Sequence, residues 1–168
     1  EITLSGFTRP KTEITVASEV AGSCLAVSGD VGDAIEESQP FIQIDPTFIH
    51  LDLATNRLAQ EKLKKTITFN RKELKRYKKL LANKSISQTR LDQIQLQYDL
   101  SVLELKNLIN SHQQLQEMLA RHTIQPAAGY RIMERYVDPG EMISTGQRLA
   151  KIGNFQELII PFTFSLRE

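Results

Sequence analysis

The residues of this 168-residue chain that could hold a metal or attack a substrate are three histidines, three methionines and one cysteine. Their spacing argues against both roles. His50, His112 and His122 are scattered, and no cysteine or carboxylate joins them at ligand spacing. Met118, Met133 and Met142 lack the clustering that a soft-ligand site requires. Cys24 stands alone, which excludes an internal disulfide framework, and in a strand-like run it packs as a small hydrophobe. There is no glycine-rich phosphate loop, no activated nucleophile and no carboxylate pair that would position together. The chain therefore reads as a non-enzyme with no cofactor and no metal site. What remains is contact chemistry. Arg76 and Leu80 stand four residues apart, so on a helix they share one face, and an arginine offers several donors in a fixed fork. Ser87, a few residues on, has a hydroxyl suited to a helix N-cap.

The elements that carry these residues follow from periodicity. Spacings of three and four place Leu53, Leu63, Ile67, Leu74, Tyr77 and Leu81 on one seam, interrupted by Asn56, Gln60 and Asn70. A second seam takes Leu91, Ile94, Tyr98, Leu105, Leu108, Leu115 and Leu119, interrupted by Ser101 and His112. Each arm is about 35 residues, or roughly 50 Å, too long to bury against a small globule. The two must chiefly bury each other as an antiparallel hairpin over residues 46–122, with its tip near 82–88. At the tip, Asn83 is expected in the left-handed conformation that ends the first arm. Ser87 is expected to cap the second arm, with Ile86 and Leu91 as a hydrophobic staple; Ser85 with Gln88 is a competing capping box. Tyr77 and Leu81 occupy the seam, which turns Arg76 and Leu80 outward.

Charge is nearly balanced overall, with 21 basic and 20 acidic residues, but not locally. Arg57 to Lys84 holds eleven Lys or Arg against Glu61 and Glu73. A basic coiled coil could neutralise phosphates, yet these residues spread round the helix without aromatics for stacking or a recognition element. A solvated hairpin surface, or one drawn to an acidic neighbour, is the better reading, and nucleic acid is not an expected partner.

Around the hairpin the chain repeats itself. Val31 to Ile44 aligns without a gap on Pro139 to Ile152 at an offset of 108, matching Gly32 with Gly140, Ile35 with Ile143, Gln39 with Gln147, Phe41 with Leu149 and Ile44 with Ile152. Gly22 and Gly129 open the strand-like runs upstream, and Gly146 precedes Gln147, where the first half has Ser38. Gly22, Gly32, Gly129, Gly140 and Gly146 are expected to serve turns. Two half-motifs too small to fold alone, residues 15–45 and 123–153, would pack into one β-sandwich, giving an α+β fold split by the inserted hairpin.

Glycine-led strands followed by G-(D/E)-x-I and (G/S)-Q-x-(L/F) resemble the biotinyl/lipoyl fold. The segments LSGFTRPKTEITVASEVAG, FIQIDPTF, RYKKLLANKSIS and IQPAAG are together similar to the periplasmic adaptor subunits, or membrane fusion proteins, of bacterial tripartite efflux pumps. The resemblance implies that Arg76, Leu80 and Ser87 dock on a TolC-like outer-membrane channel. It further implies an inner-membrane transporter as partner, most simply a proton-driven one of the resistance-nodulation-division (RND) type, with an ABC exporter as the alternative. Self-association into a ring, a periplasmic location and an inner-membrane anchor are implied as well. Carrier function is not, because the turn that holds a carrier's modified lysine is here replaced by the hairpin. The segments at 1–14 and 154–168, the latter placing Ile160, Phe162, Phe164 and Leu166 on one strand face, are expected to be stubs of a β-barrel domain, so the chain reads as a fragment.

Overall fold

A computed structural model describes residues 7–36 and 39–161. The chain forms two compact units, one from Glu1–Pro46 with Ala120–Glu168, the other from Thr47–Leu119. The first is all β. Strands β1 (Arg9–Ala17), β7 (Arg148–Ile159) and β5 (Tyr130–Arg135) form one sheet in the order β1-β7-β5. Strands β4 (Thr123–Ile124), β3 (Ile42–Ile44), β2 (Gly22–Val27) and β6 (Met142–Ile143) form the other in the order β4-β3-β2-β6.

The offset-108 repeat reappears in the hydrogen bonds. Ser28 N donates to Phe41 O at 2.7 Å, and its counterpart Tyr136 N donates to Leu149 O at 2.9 Å. Between halves the partners exchange. Gly32 N donates to Ile132 O and Gly140 N to Cys24 O, both at 2.8 Å. Likewise β3 meets β4 through Ile42↔Ile124 and Gln43↔Thr123, while β7 meets β1 through Ala150↔Val16 and Lys151↔Thr15. The bridges Ser23↔Met142 and Ala34↔Arg131 are another such pair. Each half therefore donates to the other at equivalent atoms, the signature of a local pseudo-twofold. Neither sheet can form from one half, since both draw strands from each, and unpaired strand edges are costly.

The same pairing fills the core. Cys24 with Ile132, Ile35 with Ile143, Phe41 with Leu149, Ile42 with Ala150 and Ile44 with Ile152 are all buried. Burial pushes the Cys24 thiol above its usual pKa. Gly32, Gly129, Gly140 and Gly146 carry positive φ, as turn glycines should. Gly22 does not. It opens β2, and a Cβ there would meet Ile44 Cγ2 at 2.6 Å, so its demand is for space rather than for a left-handed backbone. By hydrogen bonding its counterpart is Tyr130, paired through Gly22↔Ile143 and the Ile35 N to Tyr130 O bond, so Gly129 does not superpose on it. Ser38 lies outside the described residues, as do Glu1 to Leu4, Phe162, Phe164 and Leu166. Arg9 and Pro10 extend the β1–β7 ladder onto Ile159 and Leu158.

The second unit consists of α1 (Thr47–Ala82) and α2 (Gln88–Ala120). Every expected seam residue of both arms is buried or half-buried. Of the polar interruptions, Asn56, Gln60, Asn70 and Ser101 are paired across the seam. Asn56 Nδ2 donates to Leu108 O at 3.1 Å and Asn70 Nδ2 to Ser101 Oγ at 3.0 Å, while Ser101 Oγ donates to Gln97 O. A buried polar pair is costly to separate, so these layers fix the register of the arms. His112 Nδ1 is buried without a partner among the described residues. No described helix is long and apolar enough to cross a membrane.

Candidate functional site

The reversal at the hairpin tip is built by two caps. At the end of α1, Lys84 N donates to Leu81 O at 2.8 Å and Ser85 N to Leu80 O at 2.9 Å, the two bonds of a Schellman motif. The left-handed residue is Lys84, with φ 55°, and not Asn83 as expected. At the start of α2, Ser87 Oγ accepts from Arg90 N at 3.3 Å, and Ser87 O accepts from Arg90 N and Leu91 N. Ser87 is thus the N-cap, while Ser85 turns its hydroxyl onto Asn83 O. Ile86 and Leu91 are both half-buried, as a staple requires.

These caps present Arg76. Its side chain is 62% exposed, and Nη2 donates to Glu73 Oε2 at 2.7 Å. Its guanidinium carbon lies 5.6 Å from the centre of the Tyr77 ring, and that of Arg90, from the other arm, lies 5.8 Å from the same ring. Both distances are within cation–π range. Tyr77 therefore ties the two arms together at the tip and steadies two cations at once. Periodicity placed Tyr77 on the seam but could not show this cluster, because it depends on which α2 residue faces the ring.

Leu80 corrects the expectation of a fully outward side chain. It is half-buried, while Arg76 and Ser87 are exposed. One apolar side chain is therefore shared between the hairpin's own packing and its surface. Among the described residues no group of three or more His, Cys, Asp or Glu could hold a metal. The arrangement offers guanidinium donors beside a partly exposed leucine at the end of the hairpin.

The cap makes a prediction. A non-glycine residue in the left-handed region loses on the order of 1 kcal/mol. Lys84→Gly should raise the melting temperature of the hairpin, followed by far-UV circular dichroism, and the β-branched Lys84→Val should lower it.

The described residues thus form an α-helical hairpin inserted in the chain between the exchanging halves of a lipoyl-like β unit. The chain is similar in sequence to multidrug resistance proteins and in fold to membrane fusion proteins of known structure. It is 33% identical over 144 residues to multidrug resistance protein MdtA of Xenorhabdus bovienii (strain SS-2004), covering 84% of this chain and 34% of that protein. It is 30% identical over 148 residues to multidrug resistance protein MdtA of Proteus mirabilis (strain HI4320), covering 86% and 35%. The chain thus spans about a third of the length of these curated relatives. Among solved structures, the membrane fusion protein Spr0693 from Streptococcus pneumoniae R6 shares the fold with a TM-score of 0.67 at 16% identity, over 94% of this chain and 66% of that one. No protein-family model matches the chain.

Proposed function

We propose that the chain is the hairpin-and-lipoyl portion of a periplasmic adaptor that links an inner-membrane efflux transporter to a TolC-like outer-membrane channel for export of drugs or other small compounds. In this reading residues 15–45 and 123–153 are the lipoyl domain, 46–122 is the docking hairpin, and 1–14 with 154–168 lead into a β-barrel domain. The whole protein stands in the periplasm, anchored to the inner membrane, and forms a ring. Adaptors are non-enzymatic linkers that pair with a transporter and a channel. Arms of about five heptads suit an RND-type transporter.

The observation that carries the reading is the hairpin tip. A reversal capped at both helix ends holds Arg76 outward beside a half-buried Leu80, with Ser87 as the cap of the second arm. The names of the relatives, which speak of multidrug resistance, support the class of exported compound. The test is complementation. The whole protein, expressed with its neighbouring transporter and a TolC-type channel in a strain lacking its own adaptor, should restore drug resistance and co-purify with the channel. Deleting residues 47–119 should abolish both while the remaining β unit accumulates. Undiminished resistance after that deletion would refute the hairpin's role.

A further inference from the structure

We infer that the outer face of α1 is a second helix-binding seam. Its occupant is an antiparallel α-helix of another protein, acidic in its N-terminal half and apolar in its C-terminal half. The inference rests on α1 alone and holds whether or not the chain is an adaptor. Leu51, Leu58, Lys65, Lys72 and Lys79 each stand two residues before a seam position, about 200° round the helix, so they point away from α2. Phe48, Thr55, Lys62, Phe69 and Arg76 complete the row. From Phe48 to Lys79 the spacing alternates three and four, the same repeat that seats α1 on α2. All ten residues are exposed, and the row runs about 46 Å along the helix.

The chemistry of the row changes after Leu58. Before that point it is apolar, with Phe48, Leu51 and Leu58 81%, 58% and 67% exposed. These side chains do nothing for the hairpin's own interface. Beyond it stand Lys62, Lys65, Phe69, Lys72, Arg76 and Lys79. Phe69 is 62% exposed, four residues after Lys65 and three before Lys72. The row contains no carboxylate. Among the described residues Lys62, Lys65, Lys72 and Lys79 form no ion pair, while Arg76 shares Glu73. Like charges three and four residues apart oppose the helix that carries them. A merely solvated face would do better with acids interspersed among the lysines. An acidic surface laid along the row removes that repulsion.

Periodicity and charge together select the occupant. A three–four row of large side chains is met by a helix with the same repeat. Apolar residues followed by cations are complemented by apolar residues beside Asp or Glu. Direction follows from the dipoles. A partner helix is itself stabilised by acids near its N-terminus, and antiparallel neighbours set opposite dipole ends together. The partner's acidic N-terminal half therefore lies over Lys62 to Lys79, and its apolar C-terminal half over Phe48 to Leu58. A second copy does not complement this row. Asn70 bonds Ser101 and Asn56 bonds Leu108 O, which fixes the relative level of the two arms. The exposed Leu96, Leu100 and Leu103 of α2 stand level with the basic half of the row, and Asn110 and Gln114 with its apolar half. The order is the wrong one.

The test is fluorescence anisotropy on the whole chain with labelled helical peptides of about 30 residues, the length of the row. The first carries Glu at the three–four positions of its N-terminal half and Leu at those of its C-terminal half. The second reverses the halves, and the third scrambles the same composition. The acidic-first peptide should bind about tenfold tighter than either of the others. Lys65→Glu, Lys72→Glu and Lys79→Glu together should lose that advantage, and a peptide with Lys in place of its Glu should recover it. Leu51→Ser with Leu58→Ser should weaken binding as well, whereas Leu96→Ser on α2 should not. All these positions are exposed, and circular dichroism checks that helicity is unchanged in each variant. Equal binding of the three peptides overturns the proposal, as does a charge swap that recovers nothing. So does equally tight binding of unstructured polyglutamate or single-stranded DNA that the leucine changes leave intact, which would make the lysines a general polyanion surface. Tighter binding of the reversed peptide overturns the antiparallel direction.

Discussion

Replacing Phe41 with alanine should unfold the whole β unit, not one half of it. Phe41 is 2% exposed, and truncating a buried phenylalanine costs about 3–5 kcal/mol. That is a large part of the 5–15 kcal/mol margin of an ordinary domain. Its counterpart Leu149 is fully buried, and Leu149→Ala should cost about 2–5 kcal/mol. The halves exchange backbone bonds at Gly32–Ile132 and Gly140–Cys24, so strands β2 and β3 cannot persist once β5 and β7 are lost. Hydrogen exchange on either variant should therefore show protection falling in both sheets together, while the amides of α1 keep theirs. A variant that loses protection in one half alone would contradict the cooperative exchange of strands.

How much of this was legible before the fold was seen depends on the kind of residue. The seams were, because burial along a helix follows a period set by geometry, and every seam position of both arms proved at least half-buried. The repeat was, because equivalent core positions in a pseudo-twofold face the same demands. Single-residue caps were not. Asn83 and Lys84 differ by one position, and arm packing decides which of them takes the left-handed conformation; its cost to a lysine is small enough to be outvoted. Gly29 was also missed. It has φ 91°, and a Cβ there would come within 3.0 Å of Ile132 Cδ1. The second half has Val137 at the equivalent place, so the repeat could not flag it. Leu80 was read as outward because its angle on α1 lies off the seam, yet it is half-buried, and a helical projection carries no measure of how much of a flanking position is covered. The Arg76–Tyr77–Arg90 cluster needed three dimensions, since it joins residues on different arms.

In the whole protein, Arg76→Asp should abolish drug resistance and channel crosslinking while leaving melting nearly unchanged. The side chain is mostly exposed, and surface changes usually move stability by no more than about 0.5 kcal/mol. Two local losses are included in that figure: the ion pair to Glu73, and the new like charge three residues from it, each worth a few tenths of a kcal/mol. Glu73→Gln separates these from docking. It breaks the same ion pair but keeps the guanidinium, so resistance should survive. Leu80→Ser is a less clean partner, because the half-buried side chain contributes to packing. Leu80→Met, which keeps volume and apolar character, should retain function where Leu80→Ser loses it. Ser87→Ala should cost about 1 kcal/mol as a lost N-cap, and its loss of function should scale with fraying of α2. If Arg76→Asp still exports and crosslinks normally, the tip is a device for reversing the chain. If Glu73→Gln is as damaging as Arg76→Asp, the ion pair shapes the tip, and the arginine does not itself touch the channel.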